Sequence, residues 1–284
     1  METIQFLICT IDNRIQKAEQ VLMTPIEGVS YLISWQQSKE WLQKTDSSTK
    51  KESIRIANSL KERKDVYIIP FEGKGLSKNR NHALTHATGD LLIISDDDCK
   101  YTEDSVKTIR NAFAKYPETT LMQFQGTDLE GKLIHSYTNY TYLYDNRPYG
   151  TYFSSWELVV KRVPNLPKFD ERFGIGAYLG CGEEEVFVHQ IAAKGLIVRY
   201  VPKVIVRTQA KTTGTLFTTE AKVRRAKGGV SYLIHGYLGA LLRCIKYALK
   251  LKSNRLKSFL DMYDGIKYLR NGSKQTNIRN HSDL

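Results

Sequence analysis

Residues 73–99 read GKGLSKNRNHALTHATGDLLIISDDDC, and this stretch decides the fold. A glycine-rich turn precedes a segment of helical character, 77–87, which ends before Gly89. The apolar run at 90–95 then predicts a buried strand, and three aspartates follow its carboxyl end. This order of helix, strand and polar loop is typical of α/β proteins.

The rest of the first half repeats the alternation of strands and helices. Further short apolar strands are predicted at 4–10, 29–34, 66–70 and 121–125. The pattern favours an α/β fold with a mostly parallel central sheet flanked by helices on both faces. Ligands of such sheets bind beyond the carboxyl ends of the strands.

Composition narrows the functional classes. The chain has 284 residues, and the net charge of +12 calls for an anionic partner or surface. The four cysteines form no C-x-x-C pair, which favours reduced thiols in a cytoplasmic protein. We expect neither a secretory signal nor a transmembrane helix, because no basic-then-apolar leader or long apolar run occurs.

The acidic triplet is the strongest chemical feature. Adjacent carboxylates at Asp96, Asp97 and Asp98 repel one another, and a hard cation with oxygen ligands relieves that repulsion. Side chains alternate along extended backbone, so Asp96 and Asp98 are the expected metal pair, while Asp97 contacts the donor or a neighbouring loop. The alternative is a solvated acidic turn that caps the next helix.

Two other clusters carry candidate chemistry. Lys74 and Arg80 bring positive charge to a glycine-rich turn and helix start, where phosphate binds readily. The alternative, which this feature taken alone favours slightly, is a surface turn followed by a basic helix. Glu183 and Glu184 begin a later helix. A carboxylate there can act as a general base, or it can simply favour the helix dipole.

Residues 73–99 and the later segment FDERFGIGAYLGCGEEEVFVHQIAAKG (169–195) resemble glycosyltransferase family 2, the inverting GT-A enzymes. The resemblance implies a Rossmann-like GT-A catalytic domain at 1–215 with a helical C-terminal extension. Its nucleotide-sugar half would span 1–125 and its acceptor half 126–215. The extension, 216–284, is basic and amphipathic.

The resemblance also implies roles for individual residues. Asp96 and Asp98 match the metal-binding Asp-x-Asp, for Mn²⁺ or Mg²⁺, and Glu184 matches the catalytic base with Glu183 as its neighbour. Gln36 lies where the second strand of the family usually ends in acidic residues that bind the base of the nucleotide. The resemblance adds Thr10, Asp12 and Arg80 as nucleotide-sugar-binding residues. Together with the residues argued from the sequence itself, the predicted nucleotide-sugar-binding set is Thr10, Asp12, Gln36, Lys74, Arg80, Asp96 and Asp97.

The implied activity is inverting transfer of a sugar from a nucleotide-diphosphate donor, with a UDP-sugar favoured, to a hydroxyl of a glycan or lipid-linked acceptor. Such enzymes build polysaccharides and surface glycans such as capsules. The alternatives are a sugar nucleotidyltransferase, whose usual Gly-, Arg- and Lys-bearing first loop is missing at 10–14, and a nucleic-acid-binding protein. We expect no nucleic-acid partner, because the basic residues are interleaved with apolar helical positions rather than aromatic ones.

The basic region has two possible roles. Residues 221–260 contain ten Lys and Arg side chains and no Asp or Glu, and apolar residues separate the basic ones at helical spacing. This helix would either rest on the anionic inner face of the cell membrane or pack on the catalytic domain with a solvated basic edge.

Overall fold

The computed structural model describes residues 2–44, 47–209 and 213–280. The chain divides into two compact units. The first comprises Met1–Phe169 and Phe187–Ala210, and the second comprises Asp170–Val186 and Lys211–Leu284. The functional halves expected from the sequence, divided at 125 and 215, stay predictions.

An eight-stranded sheet forms the centre of the first unit, in the order β3-β2-β1-β4-β7-β5-β8-β6. The strands are β1 (Ile4–Ile11), β2 (Val29–Gln37), β3 (Val66–Glu72), β4 (Leu91–Asp96), β5 (Leu121–Thr127), β6 (Tyr142–Leu143), β7 (Leu158–Lys161) and β8 (Val198–Arg207).

The sheet is mixed. Strands β1 to β4 pair in parallel, as do β5 and β8. Strand β7 is antiparallel to both β4 and β5, and it separates them. The predicted α/β class with a helix-flanked sheet is confirmed, while the direction of β7 is set by partners distant in sequence.

Helices cover both faces of the sheet. The helices are α1 (Ile15–Ala18), α2 (Lys39–Gln43), α3 (Ser48–Lys61), α4 (Leu76–His86), α5 (Glu103–Lys115) and α6 (Glu183–Ala193). Alternate side chains of β1 enter different cores: Phe6 and Ile8 belong to one apolar cluster, and Leu7 and Cys9 to the other. Burial on both faces explains why β1 and β4 carry apolar residues at consecutive positions rather than only at alternate ones.

The C-terminal part of the second unit consists of α7 (Ala221–Leu249) and α8 (Arg255–Asn280), which pack against each other. The sequence predicted one basic amphipathic helix over 221–260, whereas two breaks interrupt it. Gly236 leaves the helical conformation with φ of 68°, and Asn254 takes a left-handed φ of 54° before α8. No helix in the described part of the chain is long and apolar enough to cross a membrane.

Candidate active site

The carboxyl ends of β1 and β4 bring the candidate residues of the first unit together. These strands are parallel neighbours, and Cys9 pairs with Asp96 in their register. The loop after β1 and the acidic triplet after β4 therefore leave the sheet at the same edge. This is the edge at which α/β sheets bind ligands.

Asp97 ties these two loops to each other. Thr10 Oγ1 donates to Asp97 Oδ2 at 2.6 Å, and Arg14 Nε donates to the same oxygen at 3.0 Å. Arg14 Nη2 also donates to Asp97 Oδ1. Burial raises the pKa of the Asp97 carboxyl, and the hydrogen bonds from Arg14 and Thr10 oppose that effect. Asp97 thus contacts a neighbouring loop, and a role toward the donor stays a prediction.

The Asp96 carboxylate accepts a hydrogen bond from a buried cation, Arg80. Arg80 Nη2 donates to Asp96 Oδ1 at 3.2 Å and to Ser155 Oγ at 2.7 Å, and Ser155 Oγ lies 3.4 Å from Asp96 Oδ2. The Arg80 guanidinium also packs 5.4 Å from the ring of Phe169. Both oxygens of Asp96 are held from inside the protein. Its side chain nevertheless remains 33% exposed, against 1% for Arg80.

The three aspartates alternate in exposure, although only Asp96 belongs to β4 and Asp97 and Asp98 lie in the turn that follows it. The Asp98 side chain is 33% exposed, like that of Asp96, whereas the Asp97 side chain is 2% exposed. Arg14 Nη2 lies 3.4 Å from Asp98 Oδ2. Asp96 and Asp98 are therefore the carboxylates that a cation can reach from solvent.

A metal site here would have to be completed by a ligand. In the described ranges, no group of three or more His, Cys, Asp or Glu side chains is arranged to hold a metal ion. Mg²⁺ bound to a substrate usually takes only one or two carboxylates, with phosphates and water as its other ligands. The pair Asp96 and Asp98 fits this mode of binding.

The other residues predicted to bind the nucleotide shape the loops at this edge. Asp12 has a φ of 49°, and its carboxylate accepts bonds of 2.8 Å from both the amide and the hydroxyl of Ser38. Gln36 is buried, and its Nε2 donates to the carbonyl of Gly73 at 2.8 Å. The first contacts connect the loop after β1 to the start of α2, and the second connects β2 to the glycine-rich turn. Nucleotide contacts from Asp12 and Gln36 stay predictions.

Lys74 and Arg80, which the sequence groups together, lie in different environments. Lys74 is exposed in the turn before α4, between Gly73 and Gly75, both of which have positive φ. Arg80 is buried beneath the triplet. Lys74 is therefore open to an anion from solvent, whereas Arg80 acts on the site through Asp96.

Glu183 and Glu184 begin α6 and belong to the second unit. The preceding Gly182 has a φ of 86°, which permits the tight turn into the helix. Glu183 is 3% exposed and Glu184 is half-buried, while Glu185 Oε2 lies 3.8 Å from Lys227 Nζ. The helix dipole stabilises all three carboxylates. The assignment of Glu184 as general base stays a prediction.

Sequence reasoning missed Arg14 and Ser155 as site residues. Arg14 could have been found, because a basic residue in the loop after β1 lies at the same sheet edge as an acidic triplet after β4. Ser155 carries no such signal. It reaches Asp96 from 59 residues away, in the segment that leads into the antiparallel β7.

The family model for "Glycosyl transferase family 2" matches residues 45–165. This segment belongs to glycosyltransferase family 2. It includes the acidic triplet, α4 and Ser155. The family resemblance of the sequence is thus confirmed, and of the three functional hypotheses the match selects the glycosyltransferase. A search of curated protein sequences gave no match.

Solved structures support the predicted fold. A crystal structure of Staphylococcus aureus TarS 1–349 is similar with a TM-score of 0.58 at 12% identity, over 93% of this chain and 81% of that one. The same protein in complex with UDP-GlcNAc gives 0.55 at 11% identity, over 92% and 79% of the two chains. The predicted GT-A fold is confirmed.

Proposed function

We propose that the chain is an inverting glycosyltransferase that moves a sugar from a nucleotide-diphosphate sugar to a hydroxyl of a glycan or lipid-linked acceptor. The observation that carries the proposal is the exposure of Asp96 and Asp98 on either side of the buried Asp97, inside the family 2 segment. A UDP-sugar is the favoured donor. The similarity to TarS, which has been crystallised with UDP-GlcNAc, supports this choice.

Asp96 and Asp98 would hold Mn²⁺ or Mg²⁺ together with the donor diphosphate. When bound, the metal neutralises charge that develops on the departing nucleotide diphosphate. The buried Arg80 guanidinium and the Ser155 hydroxyl fix the orientation of Asp96. Arg14 and Thr10 hold Asp97 and thereby keep the loop after β1 at the donor side of the sheet. Preorganised groups of this kind lower the cost of reaching the transition state.

Glu184 would accept the proton of the acceptor hydroxyl as that oxygen attacks the anomeric carbon. Attack from the face opposite the nucleotide breaks the bond to the diphosphate in the same displacement, so the configuration at the anomeric carbon inverts. The carboxylate of Glu184 then carries the proton. Glu183 precedes Glu184 in the sequence and is buried, and it is a weaker candidate for this role.

We place the enzyme in polysaccharide or surface-glycan synthesis, in the cytoplasm and peripheral to the inner face of the membrane. The basic character of 221–260 supports this location, because a lipid-linked acceptor would be presented at an anionic surface.

Release of nucleotide from a panel of UDP- and GDP-sugars tests the proposal. With Mn²⁺ present, at least one donor should be turned over, and EDTA should abolish the turnover. The absence of any turnover from the panel, or turnover that EDTA does not affect, would contradict the proposed chemistry.

A further inference from the structure

The second half of α7 and the start of α8 form a helical hairpin with a well-defined inner face. Small α7 side chains at Ala240, Cys244 and Ala248 are buried in one apolar cluster with Met262 and Ile266 of α8. Their spacing of four residues places the α7 members along one side of the helix. This side of the second half of α7 therefore packs against α8.

A different side of the same helix carries an apolar row that faces solvent. At 100° per residue, the four members of the row on α7 fall within an arc of about 60°. Two more exposed leucines follow at the start of α8. The row and its exposures are Leu238 73%, Leu242 69%, Ile245 42%, Leu249 61%, Leu256 72% and Leu260 52%.

Such a row is unusual on a solvent-facing helix. Single exposed leucines are common on protein surfaces and need no explanation. A continuous apolar stripe on the outer face of a helix instead indicates a surface that another phase or molecule covers. Solvation alone would favour polar residues at these positions.

Positive charge borders the row. Lys246 and Lys250 lie on the side of α7 next to the apolar row that contains Leu242 and Leu249. The turn into α8 adds further cations. The exposed basic residues are Lys246, Lys250, Lys252, Arg255 and Lys257. No acidic residue occurs between 221 and 260 to offset them.

We infer that this surface, the Leu–Lys face (the six apolar residues and five basic residues named above), docks on an anionic lipid bilayer. Its leucines would enter the boundary between headgroups and acyl chains, and its cations would contact acidic headgroups. A second copy of the chain fits less well, because pairing two such faces would bring their like charges together. Nucleic acid would leave the aliphatic row uncovered.

The Leu–Lys face would be the part of the chain that binds the membrane, and this rests on the peripheral membrane location proposed above. It does not depend on the assignment of the catalytic residues. The face lies on described helices of the second unit, whereas the proposed metal pair lies in the first. The two proposals can therefore fail separately.

Flotation of the full chain with vesicles tests the inference. We expect binding to phosphatidylcholine vesicles that contain phosphatidylglycerol, and about tenfold weaker binding to pure phosphatidylcholine or at high salt. The triple variant Leu238→Ser, Leu242→Ser and Leu249→Ser should lose about tenfold or more in binding. A matched control changes exposed apolar residues of the first unit, Ile54→Ser, Leu129→Ser and Leu133→Ser, and should bind as the wild type does.

Failure of the wild type to bind acidic vesicles would overturn the inference, as would equal binding by the triple variant. Self-association that the triple variant abolishes, without any vesicle binding, would identify a second copy as the partner instead. Circular dichroism checks that the variants fold. Lipid-free nucleotide-sugar turnover in the same preparations reports on catalysis separately, so vesicle binding without turnover would contradict only the catalytic proposal.

Discussion

The Arg80 guanidinium, 1% exposed, donates a 3.2 Å hydrogen bond to Asp96, whose side chain is 33% exposed. A buried cation thus holds a carboxylate at the surface of the sheet edge. The arrangement offsets part of the repulsion within the acidic triplet and leaves Asp96 accessible to a cation. It also explains why an arginine can occupy a buried position on α4.

Removal of this cation should destabilise the fold as well as the site. For Arg80→Met, we expect the free energy of unfolding to fall by about 1–3 kcal/mol, because Asp96 and Ser155 lose a charged partner. Urea denaturation measures the change. The control Arg55→Met removes an exposed arginine paired with Glu52 and should stay within about 0.5 kcal/mol of the wild type. Equal stability of the two variants would contradict the account.

The contact between Arg14 and Asp97 should appear as an energetic coupling. In a double-mutant cycle with Arg14→Met and Asp97→Asn, we expect a coupling of about 1 kcal/mol in unfolding free energy. The value is modest because the Arg14 side chain is 47% exposed and solvent screens the pair. Additive effects of the two substitutions would show that the loop after β1 is not anchored through Asp97.

Ser155 should tune metal binding without abolishing it. We expect Ser155→Ala to raise the Mn²⁺ concentration that half-activates turnover by about three- to tenfold, because Asp96 loses a group that orients it. Ser154→Ala is the control, since Ser154 is also buried but contacts His135 instead. The same Mn²⁺ requirement in both variants would remove Ser155 from the site.

Much of the fold was predictable from local signals, whereas strand direction was not. The glycine turn, α4 and β4 follow from residues 73–99, where composition and periodicity agree. The antiparallel direction of β7 depends on pairing with β4 and β5, which its own short sequence does not encode. The break at Gly236 was missed because glycine is tolerated inside a helical pattern.

The candidate site divides in the same way. Asp96 and Asp98 were predicted as the metal pair from alternation along an extended backbone, but the backbone turns after Asp96. Their side chains are nevertheless the two exposed ones of the triplet, and their metal role stays a prediction. Ser155 could not be predicted as a partner of the triplet, because it lies 59 residues away from Asp96 with no signal in the sequence around it. Arg14 could have been predicted, because it lies in the loop after β1, at the same sheet edge as the triplet. Arg80 was predicted from its charge at a helix start and from the family resemblance, and neither distinguishes a phosphate ligand from a buried counter-ion.

Substitution of Glu184 should reduce sugar transfer without weakening donor binding. For Glu184→Gln, we expect UDP affinity within about twofold of the wild type and transfer reduced by about 100-fold or more, because only the proton acceptor is lost. Glu185→Gln alters a carboxylate of the same turn that lies near Lys227, and it should retain transfer. Normal transfer by Glu184→Gln would exclude it as the base.

Binding of UDP with and without Mn²⁺, measured by calorimetry, tests the central claim most directly. The wild type should bind UDP about tenfold or more tightly with Mn²⁺, and Asp98→Asn should lose this gain. Asp104→Asn, the same change at a side chain that is 89% exposed, should retain it. An equal Mn²⁺-dependent gain in Asp98→Asn and the wild type would contradict the assignment of the acidic triplet as the donor metal site.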